Sequence, residues 1–99
     1  MTISKTGVKA LDIKKQLVRA GDGFAIEMVE AMEKYAAASP SYADLLDTWL
    51  KRGGTIRLRR LCDPFREWSF LKTLGPHYPV PWFNCVDAID SAWLGVSQS

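Results

Sequence analysis

What most limits how this chain can fold is its punctuation. Apolar residues recurring at intervals of three and four are cut by Gly21, Ser39-Pro40, Gly53-Gly54 and Gly75-Pro76. Glycine leaves a helix readily, and proline can begin one but not continue it, so the pattern dictates short helices joined by tight turns. From Val8 to Ala20, residues Ala10, Leu11, Ile13, Leu17 and Val18 fall near one helical face, with Lys9, Lys14, Lys15 and Arg19 outside it. Asp22 is placed to cap a second helix. There Ala25, Met28, Val29, Met32, Tyr35 and Ala36 form the apolar stripe and Glu27, Glu30 and Lys34 the far side. Ser39-Pro40 opens a third, carrying Tyr42, Leu45, Leu46, Trp49 and Leu50. Lys51 and Arg52 lie where the helix dipole favours cations, just before Gly53.

Beyond Gly53-Gly54, the run Thr55-Ile56-Arg57-Leu58-Arg59 alternates apolar and basic residues, which predicts a short strand with one basic face. A helical reading competes, because Leu58, Leu61, Cys62, Phe65, Trp68 and Leu71 also recur at helical spacing, interrupted by Pro64. With the strand preferred, Asp63 caps the next helix, Pro64 takes its first position and Gly75-Pro76 ends it. Pro76, Pro79 and Pro81 then make residues 76–83 an extended segment, after which Asn84 caps a last helix through Leu94. The resulting expectation is a mainly α fold (α+β with a minor β part): one small domain over residues 1–99, with four to five helices and one short strand.

Composition agrees with a single packed domain. Among 99 residues, 47% are hydrophobic and 24% charged, proportions that argue against disorder, a fibrous repeat or a disulfide-stapled miniprotein. Two cysteines, Cys62 and Cys85, are too few for a disulfide framework, and no charged start leads into an apolar stretch. The expected location is the cytoplasm, with reduced thiols. No apolar run approaches the roughly 20 residues a bilayer span needs.

The formal charge of +2 hides alternating blocks: +4 over residues 1–21, −5 over 22–50, +5 over 51–72 and −2 over 73–99. Such blocks either pair within the fold or face partners. In the second basic block, Lys51, Arg52, Arg57, Arg59, Arg60, Arg66 and Lys72 are interleaved with Phe65, Trp68 and Phe70, so cations could meet phosphates while rings stack on bases. The plainer reading puts the rings in the core and the arginines in water. A helix-turn-helix reader from the first two helices is disfavoured, since Glu27, Glu30 and Glu33 would face phosphates; an acidic helix of that kind suits a basic protein surface instead.

Chemistry has thin support. Cys85 beside a predicted helix start and His77, the one histidine, form the sole candidate for nucleophilic catalysis, against the default of a buried thiol. Cys62, His77 and Cys85 match no common zinc spacing, and no phosphate-cradling glycine loop opens a helix. No cofactor or metal is expected. Residues 76–83 concentrate three prolines and three aromatics, giving either a preorganised loop with Tyr78 and Trp82 as anchors or a strap over the core.

The opening Met1-Thr2-Ile3-Ser4-Lys5-Thr6 resembles the start of some small phage-encoded anti-CRISPR proteins. The resemblance covers six residues, carries no functional residue with it, and implies a small inhibitor acting by occlusion. Joined to the charge pattern, it yields the expectation of a non-enzymatic protein-binding inhibitor or adaptor, with a nucleic-acid-handling complex as one partner. Arg57, Arg59 and Arg60 are its basic contacts, Glu27, Glu30 and Glu33 its acidic ones, and Tyr78 and Trp82 its anchors. Direct nucleic-acid binding is the alternative and a cysteine enzyme the third. A homodimer or an added partner strand would satisfy the edge of the 55–59 strand.

Overall fold

The computed structural model describes residues 7–67 and 80–98. Within them lie α1 (Ala10–Ala20), α2 (Gly23–Ala38), α3 (Pro40–Arg52), α4 (Thr55–Cys62) with a 3-10 turn at Asp63–Phe65, and α5 (Val80–Ser97). The joints follow from capping chemistry. Gly21 sits in the left-handed region at φ 74°. Its N–H donates to the Val18 carbonyl and the Asp22 N–H to that of Leu17, both at 3.0 Å, which closes α1. Asp22 then turns to α2, its Oδ1 accepting from the Ala25 N–H at 3.0 Å. Ser39 alone joins the next pair: its N–H donates to the Tyr35 carbonyl at 3.0 Å, and its Oγ accepts from the Tyr42 N–H at 3.4 Å. Pro40 occupies the first turn of α3.

Among the described residues there is no strand, and residues 55–59 are helical. The strand expected there is corrected by burial: Leu58, Leu61 and Cys62 are fully enclosed, whereas Ile56, which an alternating pattern places beside Leu58, is 79% exposed. A helix satisfies its backbone internally, while a lone strand would have left its edge bare. The strand edge proposed for a homodimer or an added strand is therefore absent. Asp63 is not the N-cap of a new helix; it closes α4 as its C-cap in right-handed geometry, and its Oδ1 accepts from Arg66 Nη2 at 2.7 Å. The helix expected to end at Gly75-Pro76 lies largely outside the described residues.

Two further expectations change. The last helix starts at Val80, so Asn84 lies inside it rather than at its cap and residues 80–83 are not extended. Pro81 falls in the first turn, where a missing N–H breaks no helical bond. On α1, Leu11 and Val18 are exposed, leaving Ile13 and Leu17 as the buried contributors.

One core unites these elements. α5 packs against α1, α2 and α4, while α3 packs on α2 and α4. Met28 and Met32 of α2, Trp49 of α3, Leu58 and Leu61 of α4 and Val86 and Ile89 of α5 are almost wholly enclosed. Tyr42 pins α3 to α4, its hydroxyl donating to the Leu61 carbonyl at 2.6 Å, and the Val8 N–H donates to the Leu50 carbonyl at 2.7 Å. The arrangement leaves one face of α4 turned outward.

Candidate interaction surface

Eight residues of α4 include three arginines and no acid. Successive helical side chains are separated by about 100°, so with Leu58, Leu61 and Cys62 turned inward, Ile56 and Arg60, four apart, become neighbours on the outer side. Ile56 is the most exposed large hydrophobic among the described residues. The expectation that Arg57 and Arg59 share one face fails for the same geometric reason. Arg57 is half-buried, and its Nη1 is enclosed without a hydrogen-bond partner among the described residues. Arg59 leans the other way, its guanidinium carbon 5.8 Å from the Phe83 ring centroid on α5. Arg60 is exposed.

Neither Arg59 nor Arg60 has a carboxylate partner among the described residues. Two acids at the ends of α4 are engaged elsewhere: Asp63 holds Arg66 at 2.7 Å, and Asp90 Oδ2 accepts from Thr55 Oγ1 at 3.4 Å at the start of α4. Phe83 is 41% exposed and meets Trp82 edge-on, centroids 4.7 Å apart. The surface that results is a short basic helix with Ile56 at its crest and Phe83 along its flank.

Trp82 itself is corrected from surface anchor to core residue. It is 3% exposed, and its Nε1 donates to the Cys62 carbonyl at 3.2 Å. The Arg66 guanidinium covers its ring at 5.0 Å. Tyr78 and His77 lie outside the described residues. On α2, Glu27 and Glu30 are exposed, whereas Glu33 meets Lys14 of α1 at 2.7 Å, so part of the acidic block pairs with the first basic block.

Both thiols are buried. Burial, followed by the charge of Asp22, pushes the Cys85 thiol up to about 12, and its Sγ donates to Met28 Sδ at 3.6 Å. Burial, then Cys85 and Asp63, raises the Cys62 thiol too. The expected advantage of a helix start does not reach Cys85, because α5 begins more than a turn before it. No group of three or more metal-ligating side chains is assembled among the described residues, and no described helix is long and apolar enough to cross a membrane. Between α1 and α5 a 210 Å³ cavity is lined by Gln16, Leu17, Ala20, Ala88, Ser91 and Ala92, offering mostly aliphatic contact.

Sequence reasoning found the arginines but missed Ile56 and Phe83. Ile56 was detectable as the apolar residue that falls off the Leu58, Leu61, Cys62 spacing once that spacing is taken as helical. Compared with protein-family models, with curated proteins and with solved structures, the chain matches none.

Proposed function

We propose that this chain is a small non-enzymatic, cytoplasmic protein-binding inhibitor or adaptor of the phage anti-CRISPR-like type, occluding a surface of a nucleic-acid-handling host complex. One observation carries the reading: two guanidiniums, Arg59 and Arg60, without a carboxylate partner among the described residues, beside an isoleucine that the fold leaves bare. Arginine and aromatic side chains supply a large share of binding energy at protein interfaces, and unpaired charge steers association. Raised thiol pKa values work against a cysteine nucleophile, which must ionise to attack.

Affinity capture with the full chain from host lysate, followed by mass spectrometry, tests it. A stoichiometric partner that is lost when Arg59 and Arg60 are both changed to Glu is expected; recovery of no partner overturns the reading. A short helix with three arginines and no acid also supports the second reading, a nucleic-acid-binding module. That one requires affinity for DNA or RNA that falls steeply with salt and collapses in the Arg57→Ala, Arg59→Ala, Arg60→Ala triple variant. No affinity at low salt ends it.

A further inference from the structure

We infer that the outer face of α4 docks an acidic protein helix with an apolar centre, and that Ile56 is the side chain this helix closes over. The inference rests on the protein-binding reading above and names the partner's chemistry. It begins from a residue the fold does not need. Ile56 is 79% exposed, so it adds little to the core, and a β-branched residue is a poorer helix former than Ala, Lys, Glu or Arg at such a position. Its place on α4 brings the folded monomer neither packing nor propensity.

Its surroundings specify charge. Three described cations hold a carboxylate, Lys14 with Glu33, Lys51 with Asp47 and Arg66 with Asp63; what sets Arg59 and Arg60 apart from the remaining cations is the bare Ile56 beside them on the same short helix. Arg59 and Arg60 flank Ile56 without a carboxylate among the described residues. The Phe83 ring beneath the Arg59 guanidinium limits where that side chain can swing, which lowers the entropy lost when it meets an acid. A complementary surface therefore presents carboxylates around an aliphatic centre, the pattern of an acidic amphipathic helix.

Single-stranded nucleic acid fits the face less well. Stacking needs open ring faces in series, yet Phe83 has Arg59 over its ring and Trp82 against it. Ile56 offers phosphate nothing. A second copy could supply Glu27 and Glu30, but among the described residues α2 exposes no large aliphatic side chain beside them to cover Ile56.

The test measures binding of the full chain to three fluorescent probes. One is a helical peptide of roughly five turns with Leu at three- and four-residue spacing among Glu residues; the second has each Leu replaced by Ser; the third is single-stranded DNA of equal charge. The first probe should bind at least about tenfold more tightly than the other two, the equivalent of about 1.4 kcal/mol. Ile56→Ser should remove that preference and Arg59→Glu with Arg60→Glu should abolish binding, while Leu11→Ser with Val18→Ser, exposed on α1, should change nothing. Circular dichroism melting confirms that each variant folds. Equal binding of the two peptides, indifference to Ile56→Ser, or tighter binding of DNA overturns the inference. Self-association that disappears in Ile56→Ser also overturns it, by placing a second copy on this face. A host partner kept by Ile56→Ser but lost with Glu27→Lys and Glu30→Lys overturns the inference and leaves the protein-binding reading standing. Peptide binding without any host partner removes the inhibitor reading and leaves the face.

Discussion

At Gly53 two demands meet that no other residue satisfies together. The backbone holds φ 73°, and a Cβ there would stand 2.8 Å from the Trp93 ring. The ring is buried and stacked obliquely on Trp49 at 6.4 Å, so it has little room to yield. Strain and overpacking should therefore combine in Gly53→Ala to cost about 2–4 kcal/mol, read as a fall of more than about 8 °C in Tm. Gly21→Ala, with nothing within 4 Å of the added atom, should cost only the conformational part. Cys85 gives a second prediction. Its folded-state pKa of about 12 exceeds that of the unfolded thiol, near 8.5, so between those values the native state holds the proton longer. Stability is intact below about pH 8.5 and declines as pH rises towards 12, by up to about 1.4 kcal/mol per pH unit for each such thiol. Urea melts across that range should show the decline, and Cys85→Ala should flatten it relative to the parent. Tyr42, whose pKa burial also raises, adds to it at the alkaline end.

The residues that end and begin helices were readable because capping is a local matter. Gly21, Asp22, Ser39, Pro40 and Gly53 decide their own joints within three or four residues, and the structure uses each where the sequence pointed. The 55–59 segment was not, since five residues that alternate are equally compatible with the first turn of a helix. The exposure of Ile56 and the burial of Leu61 and Cys62, less than a turn past Arg59, separate the cases. Helix α4 makes this testable by a pair of truncations. On a half-buried strand Ile56→Ala and Leu58→Ala would both be costly, as the two side chains share a face. On α4, Leu58→Ala should cost about 2–5 kcal/mol and Ile56→Ala less than about 0.5 kcal/mol, measured by denaturant unfolding. The start of α5 was misread for a related reason: proline suits extended chain and the first helical turn alike, and what decides is the seat that Trp82 finds against Cys62, a contact between distant parts of the chain. The candidate surface was legible to the same degree. Its cations stand in the sequence, but the pairing of Arg59 with Phe83 is made by tertiary packing.

Across the whole molecule, the 51–72 charge block is divided by depth. Arg66 lies over the buried Trp82 and is tied to Asp63, Arg57 is half withdrawn, and Arg59 and Arg60 face out. Opposite consequences are therefore expected from changes at either end of one contiguous structure. Trp82→Ala empties a core site that touches α4 through the Cys62 carbonyl, and should cost about 3–5 kcal/mol, a large part of what a domain this size possesses. Any partner would then be lost through unfolding, together with far-ultraviolet helicity and a cooperative melt. Reversing Arg59 and Arg60 to Glu touches no enclosed atom, and removes a partly exposed ring contact worth about 0.5–1 kcal/mol. Its melt should stay within about 8 °C of the parent, while partner capture disappears and the loss is steeper at low salt than at high. Were partner capture to survive that reversal in a folded protein, recognition would have to reside on another face, and the exposed Glu27 and Glu30 of α2 would be the residues to change next.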